Sequence, residues 1–172
     1  FGIYFKLNSF IFMPVFGLNN GVVPIVAYNY GAQNRLRMVE TIKRSTIYAS
    51  CIMVLGVVIF WAIPGPLLKI FDATDTMLQV GVPALRIISL SFCMAGACIA
   101  LGSSFQALGK AVYSMTTSII RQLVFLVPIA YVLARYGHSI GNDDLVWWSY
   151  PLAEIASLLV TLVFFRRLYR TL

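Results

Sequence analysis

The sequence predicts an all-α fold, a bundle of five helices that cross a membrane. Hydrophobic residues make up 60% of the 172 positions and charged residues only 11%, which leaves too little polar surface for a soluble domain of this size. The apolar residues collect into five stretches, each close to the roughly 20 residues that a helix needs to cross a bilayer. We therefore expect a single transmembrane domain, 1–172, with spans at about 7–28, 45–63, 78–101, 111–133 and 145–165.

The basic residues fix the expected orientation of these spans. The net charge is +7, and the lysines and arginines fall mainly in alternate connecting segments, as they do in cytoplasmic loops of membrane proteins. One set of segments contains Arg35, Arg37, Lys43, Arg44, Lys110, Arg166, Arg167 and Arg170. The other set contains Lys6, Lys69 and Arg135 beside Asp72, Asp75, Asp143 and Asp144. We expect a multi-pass protein of the cell membrane with a cytoplasmic C-terminus, and no binding of nucleic acid.

The first predicted span combines features that a plain membrane anchor does not need. Two prolines interrupt its hydrogen-bond pattern, and each leaves a carbonyl that needs a partner in hydrocarbon. Two glycines at small-xxx-small spacing suit the close approach of another helix, and two amides lie between them. These residues are Pro14, Pro24, Gly17, Gly21, Asn19 and Asn20. The amides either hold a tight helix pair together or line a water-filled cavity.

The second and third spans offer packing residues rather than a reactive site. Cys51, Cys93 and Cys98 all lie inside spans, so neither a disulfide framework nor a metal spacing is predicted. In the third span, Gly96 and Ala100 have the spacing of a close helix contact.

The fourth and fifth spans each carry one charge deep in the membrane, Arg121 and Glu154. An unpaired charge there is costly, by at least about 2.5–3.5 kcal/mol. Arg121 lies eleven residues into one span and Glu154 ten residues into the next, which runs the opposite way. Their depths then differ by roughly 5–6 Å at a rise of about 1.5 Å per residue. We predict that they form an intramembrane ion pair, either structural or a gating group.

No catalytic arrangement is apparent. The sequence contains no His-Glu-x-x-His motif, no nucleophile with a histidine partner inside a span, and no paired carboxylates. Gly109 and Lys110 do not form a phosphate-binding loop, because Ser104 and Ala111 stand where glycine and Ser or Thr are required. We therefore predict no enzyme activity and no metal site.

Two motifs in order resemble the multidrug and toxic compound extrusion (MATE) transporters. The first, at the end of the first span, consists of Pro24, Tyr28, Asn29, Tyr30 and Gly31. It resembles the end of the family's eighth helix. The second, Ser-Phe-Gln-Ala-Leu-Gly-Lys at 104–110 followed by Arg121 and Gln122, is similar to the connection between the tenth and eleventh helices.

The resemblance implies helices eight to twelve of a twelve-helix transporter, most of its C-terminal lobe. It implies export of organic, often cationic, compounds in exchange for sodium ions or protons. The expected partners are the lipid bilayer, small organic substrates and a missing N-terminal lobe of the same chain. Candidate residues of the substrate cavity are Met13, Phe16, Asn19, Asn20, Gln106 and Gln122.

The span 78–101 lacks the coupling carboxylate that some family members place in the tenth helix. The resemblance therefore implies that Na⁺ or H⁺ binds mostly in the missing N-terminal part, and we expect no other cofactor. Two alternatives remain. One is a lipid-linked saccharide flippase of the related superfamily, for which Arg121 and Arg86 would supply a cationic cavity. The other is a non-transporting membrane subunit that binds a partner through its glycine-rich faces.

Overall fold

The computed structural model describes residues 2–72 and 74–171, and within these ranges the chain is helical and has no strand. The order is α1 (Gly2–Gly31), α2 (Arg35–Ala62), the short α3 (Pro64–Lys69), α4 (Asp75–Ser89), α5 (Phe92–Ala107) and α6 (Ala111–Ile119). A π-helical segment (Ile120–Leu126) continues α6 into α7 (Val127–Ile140), and a 3₁₀ turn (Asp143–Trp148) leads into α8 (Ser149–Thr171).

The predicted all-α membrane bundle is confirmed. Four helical stretches among the described residues are long and apolar enough to cross a membrane: Gly2–Gly31, Arg35–Ala62, Ala111–Ile140 and Asp144–Arg170. The remaining predicted span corresponds to α4 and α5 together, which meet at a bend of 49°. Each of the five apolar stretches of the sequence thus has a helical counterpart.

The bundle packs around α2 and α5, and its core has two parts. One part surrounds Phe92, whose ring lies 5.4 Å from the rings of both Phe12 and Phe60. The other part gathers the end of α1, the start of α2 and the ends of α5 and α8 around Val26, Met38, Ile42, Leu101, Phe105, Leu108 and Leu168. One end of the bundle therefore carries most of the basic residues. It contains the start of α2, with Arg35 and Arg37, and the end of α8, with Arg166, Arg167 and Arg170. We call it the basic end.

Gly96 of the third span makes the close contact that its spacing with Ala100 predicts, whereas Gly17 and Gly21 of the first span do not. A Cβ atom added to Gly96 would lie 2.7 Å from Met53 Cγ and 3.1 Å from the Ala49 carbonyl oxygen, so α5 and α2 are in close contact there. A Cβ atom at Gly17 or Gly21 meets nothing within 4 Å. Within the described chain, no helix uses the α1 glycines for close packing.

The backbone departs from regular α-helix in two places within the predicted spans. The chain breaks between α4 and α5 at Leu90 and Ser91, where the Ser91 hydroxyl donates to the Ile88 carbonyl at 2.6 Å. In the π-helical segment, the Val127 N–H donates to the carbonyl of Gln122, five residues earlier. Pro128 follows and has no N–H to donate. By contrast, α1 is continuous through Pro14 and Pro24.

Candidate functional site

A cavity of about 800 Å³ lies between α1, α5, α6, the π-helical segment and α8. All six residues predicted from the sequence to line a substrate cavity contribute to its wall: Met13, Phe16, Asn19, Asn20, Gln106 and Gln122. The fold thus brings together residues that lie more than 100 positions apart in the sequence. The two α1 amides, Asn19 and Asn20, thus lie in the cavity wall, and their role stays a prediction.

The wall of the cavity has an apolar and a polar part. From α1, the side chains of Phe12, Met13 and Phe16 form an aromatic and thioether surface. Hydroxyl groups come from the break before α5 and from α5, α6 and α8, and are carried by Ser91, Ser103, Ser114, Thr117, Ser118, Ser157 and Thr161. Gln106 Nε2 donates to Ser114 Oγ at 3.1 Å, which ties the α5 and α6 walls together. Such a surface can hold a large apolar molecule with a few polar groups.

Several buried polar atoms at this cavity have no hydrogen-bond partner among the described residues. Asn19 is only 5% exposed, yet neither its Oδ1 nor its Nδ2 is bonded. Asn8 Oδ1 and Glu154 Oε2 are also buried without a hydrogen-bond partner among the described residues, and both side chains line the cavity. Because a buried polar group without a partner is costly, these atoms mark positions where a ligand or water can bind.

Arg121 and Glu154, the predicted intramembrane ion pair, lie together in the cavity wall. Arg121 Nη1, in the π-helical segment, is 3.3 Å from Glu154 Oε1, in α8. Their side chains are 26% and 14% exposed, so both are mostly removed from the surface. The carboxylate uses one oxygen for the arginine, and its other oxygen is buried without a partner among the described residues.

Sequence reasoning missed the end of the cavity that lies beyond Glu154 towards the start of α8. The ring centroids of Tyr4 and Tyr150 lie 6.3 Å apart there. Asn8 and Glu154 follow these tyrosines by four residues in α1 and α8, and so lie one turn further along on the same faces. The predicted first span begins at residue 7, which leaves Tyr4 outside it. The pairing of two aromatic residues with two polar ones at i, i+4 was the available signal.

The family-motif residues lie away from the cavity, at the basic end. Asn29 Nδ2 donates to the Ile25 carbonyl at 2.8 Å, and the Asn29 carbonyl accepts from the Asn34 N–H at 2.9 Å. Gln33 adopts a left-handed conformation with φ of 59°. Pro24, Tyr28, Asn29, Tyr30 and Gly31 thus form the end of α1 and the turn into α2.

The described residues contain no group of three or more His, Cys, Asp or Glu side chains that could hold a metal ion. Glu154 is the one acidic residue among the described cavity-lining residues, and Arg121 is the one basic residue. Arg86, named with Arg121 as a cationic pair, does not line this cavity.

Comparison of the sequence with known proteins gives a consistent result. The family model described as MatE matches residues 1–132. The multidrug export protein MepA of Staphylococcus haemolyticus is 26% identical over 154 residues, which cover 90% of this chain. The MepA protein of Staphylococcus aureus gives the same identity and coverage. The chain spans about a third of the length of these relatives, 33% in each case.

Solved structures agree in fold. The MATE multidrug transporter DinF-BH, solved as a complex, has 32% sequence identity and a TM-score of 0.84, and the match covers 97% of this chain and 36% of that one. An inward-facing and an outward-facing structure of a multidrug resistance MATE transporter each have a TM-score of 0.89 at 16% identity. They cover 97% and 99% of this chain and 38% of their own. At that identity they show the fold alone.

Proposed function

Because the chain belongs to the MatE family, we propose that this multi-pass membrane protein acts in secondary active export, with its helices forming one side of a substrate cavity. The observation that carries the proposal is the 800 Å³ cavity, which has an apolar wall, a polar wall and a single carboxylate among the described residues. The similarity to MepA, a multidrug export protein, and to DinF-BH, a multidrug transporter, supports the proposal. Since the chain spans a third of those relatives, the activity refers to the whole transporter.

We propose organic cations as the main substrate class. A cation attracts both aromatic faces and a carboxylate, and the cavity offers Phe12 and Phe16 on one side and Glu154 on the other. The second oxygen of Glu154 is buried and has no partner among the described residues, so its negative charge is only partly satisfied by Arg121 and attracts a positively charged group in the cavity. The amide of Asn19 supplies further hydrogen bonds to polar atoms of a substrate.

We propose that an inward gradient of sodium ions or protons drives export. Neither α4 nor α5 contributes an acidic residue to the cavity wall, and Glu154 is engaged with Arg121. The coupling ion is therefore expected to use acidic groups outside these 172 residues. The orientation that the basic residues predict, with the C-terminus and the basic end in the cytoplasm, belongs to the same proposal.

A transport assay tests the proposal. Cells that express the transporter from its complete gene are loaded with a fluorescent organic cation, and its loss is followed with the sodium or the proton gradient collapsed separately. We expect faster loss than in control cells, abolished by collapse of one gradient. Export that is indifferent to both gradients would contradict secondary transport.

Two phenylalanines of α1 give a matched pair of variants for that assay. Phe16 lines the cavity, whereas Phe10 does not, although both are exposed on the same helix. Phe16→Ala is expected to lower export several-fold through lost contact with the substrate, and Phe10→Ala to leave it near the wild-type rate. Equal effects of the two substitutions would count against this cavity as the substrate site.

The flippase alternative is less well supported by the cavity. A site for a lipid-linked pyrophosphate needs several cationic groups. Arg121 is the one basic side chain among the described residues of the wall, and its charge is already paired with Glu154.

A further inference from the structure

We propose that the headgroup of an anionic phospholipid binds in a groove between α1 and α2 at the basic end of the bundle. This groove, which we call the basic groove, has a volume of about 340 Å³. It is lined by Ile25, Asn29, Arg37, Glu40, Thr41 and Arg44. The proposal goes beyond transport and does not depend on which compound is exported.

The groove is separate from the substrate cavity. Ile25 follows the cavity-lining Phe16 by nine residues, which corresponds to half a rotation about α1 at about 100° per residue. Neither Ile25 nor Asn29 lines the cavity. A ligand in the basic groove therefore lies on the opposite face of α1 from a transported substrate.

The α2 side of the groove carries a positive charge without a partner among the described residues. Arg37, Glu40, Thr41 and Arg44 occupy positions i, i+3, i+4 and i+7, and so form one stripe along the helix. Glu40 Oε1 accepts a hydrogen bond from Arg44 Nη2. Arg37 makes no ion pair with any carboxylate that the structure describes. The groove thus contains two guanidinium groups and one carboxylate, and the carboxylate pairs with Arg44.

The neutral polar groups of the groove are already used within the protein. Asn29 Nδ2 donates to the Ile25 carbonyl at 2.8 Å, and Thr41 Oγ1 donates to the Arg37 carbonyl at 2.8 Å. The guanidinium groups therefore supply the charged donors and most of the donors left for a ligand. Their planar fork binds two oxygens of a phosphate at once, whereas a neutral or zwitterionic headgroup cancels less of the charge.

Apolar surface beside the groove favours a lipid over free phosphate. Ile47 and Tyr48 follow Arg44 by three and four residues and are 49% and 54% exposed. They lie one turn further into the span on the same side of α2, where the acyl chains of a bound lipid would run. Tyr28 of α1 is 76% exposed and stands at the level where aromatic rings meet headgroups. Basic pockets between membrane helices suit such headgroups.

Native mass spectrometry of the purified transporter tests the proposal, with phosphatidylglycerol and phosphatidylcholine offered in equal amounts. We expect the wild type to retain phosphatidylglycerol several-fold more than phosphatidylcholine. The double variant Arg37→Gln/Arg44→Gln should bring the ratio close to one. Arg135→Gln, which removes an exposed arginine of α7 away from the groove, should keep the wild-type ratio. A wild type without preference, or a double variant that keeps it, would overturn the proposal.

Glu40→Gln gives a second variant with the opposite sign, in case the double variant fails to fold. It frees Arg44 from its ion pair and should raise the preference for phosphatidylglycerol above that of the wild type. An unchanged or lowered preference would refute the role of the groove.

Inorganic phosphate and glycerophosphoglycerol, the headgroup without acyl chains, distinguish a lipid from free phosphate as the ligand of the groove. They should displace the lipid only weakly, and displacement as effective as that by the lipid itself would show a site for free phosphate instead.

Discussion

Glu154 uses only one of its carboxylate oxygens to pair with Arg121, at 3.3 Å from Nη1. The other oxygen, Oε2, is buried beside the cavity without a partner among the described residues. The pair therefore joins α8 to the π-helical segment and at the same time leaves one acceptor oxygen of a cavity-lining residue without a partner. A structural and a ligand-binding role are compatible in one carboxylate, and substitutions can measure them separately.

Loss of the Glu154 charge is expected to destabilise the protein. Removing one partner of a fully buried pair costs about 3–5 kcal/mol, and since both side chains here are partly exposed we expect about 1–3 kcal/mol from Glu154→Gln. Arg121→Gln/Glu154→Gln should lose less than the sum of the single variants, because it leaves no unpaired charge. Thermal unfolding in detergent measures this coupling, and strictly additive losses would show that the pair is not stabilising.

Asn19 should be dispensable for folding and required for transport. Its buried amide has no partner in the described chain, so Asn19→Leu removes a desolvation cost and should raise the free energy of unfolding by about 0–2 kcal/mol. Export of the fluorescent cation should fall several-fold. Asn29→Leu is the matched control, because it breaks the bond to the Ile25 carbonyl and should cost about 1 kcal/mol. A destabilised Asn19→Leu protein with normal export would contradict this assignment.

The sequence predicts the five apolar regions, since length and hydropathy alone decide whether a helix can cross a membrane. It also predicts the contact between Arg121 and Glu154, because depth in the membrane follows from residue counts. It does not predict the break at Leu90 and Ser91, where no proline or glycine stands. Hydropathy likewise cannot detect the π-helical segment, whose shift of one residue in hydrogen bonding leaves composition unchanged.

The sequence likewise predicts some residues of the cavity and misses others. Polar residues inside an apolar span, such as Asn19 and Gln122, stand out in the sequence because burying them requires a reason. Tyr4 and Asn8 lie at the edge of an apolar run, and only their i, i+4 spacing, which Tyr150 and Glu154 share, indicates them. The helix α1 continues through Pro14. A proline in the sequence therefore predicts a backbone carbonyl without its usual hydrogen bond in the preceding turn, but it does not by itself predict the end of a helix.

Gly96 is expected to tolerate no side chain. A Cβ atom there would lie 3.1 Å from the Ala49 carbonyl oxygen and 2.7 Å from Met53 Cγ, so Gly96→Ala should force α5 away from α2 and cost about 1–3 kcal/mol. Gly17→Ala is the control, because it meets nothing within 4 Å and should raise helix stability by up to about 1 kcal/mol. Equal unfolding temperatures for the two variants would contradict the close contact between α2 and α5.

The orientation of the bundle gives a prediction that needs no knowledge of the substrate. Arg35 Nη2 donates to the Tyr169 carbonyl at 2.7 Å, which holds the end of α8 beside the start of α2 and brings their arginines to one end. Because basic segments are retained in the cytoplasm, a fluorescent protein fused after residue 172 should fluoresce and a phosphatase fused there should be inactive. Fusions at Gly141, beyond α7, should give the reverse pattern. Phosphatase activity at the C-terminus would place the basic end, and with it the basic groove, on the outer side of the membrane.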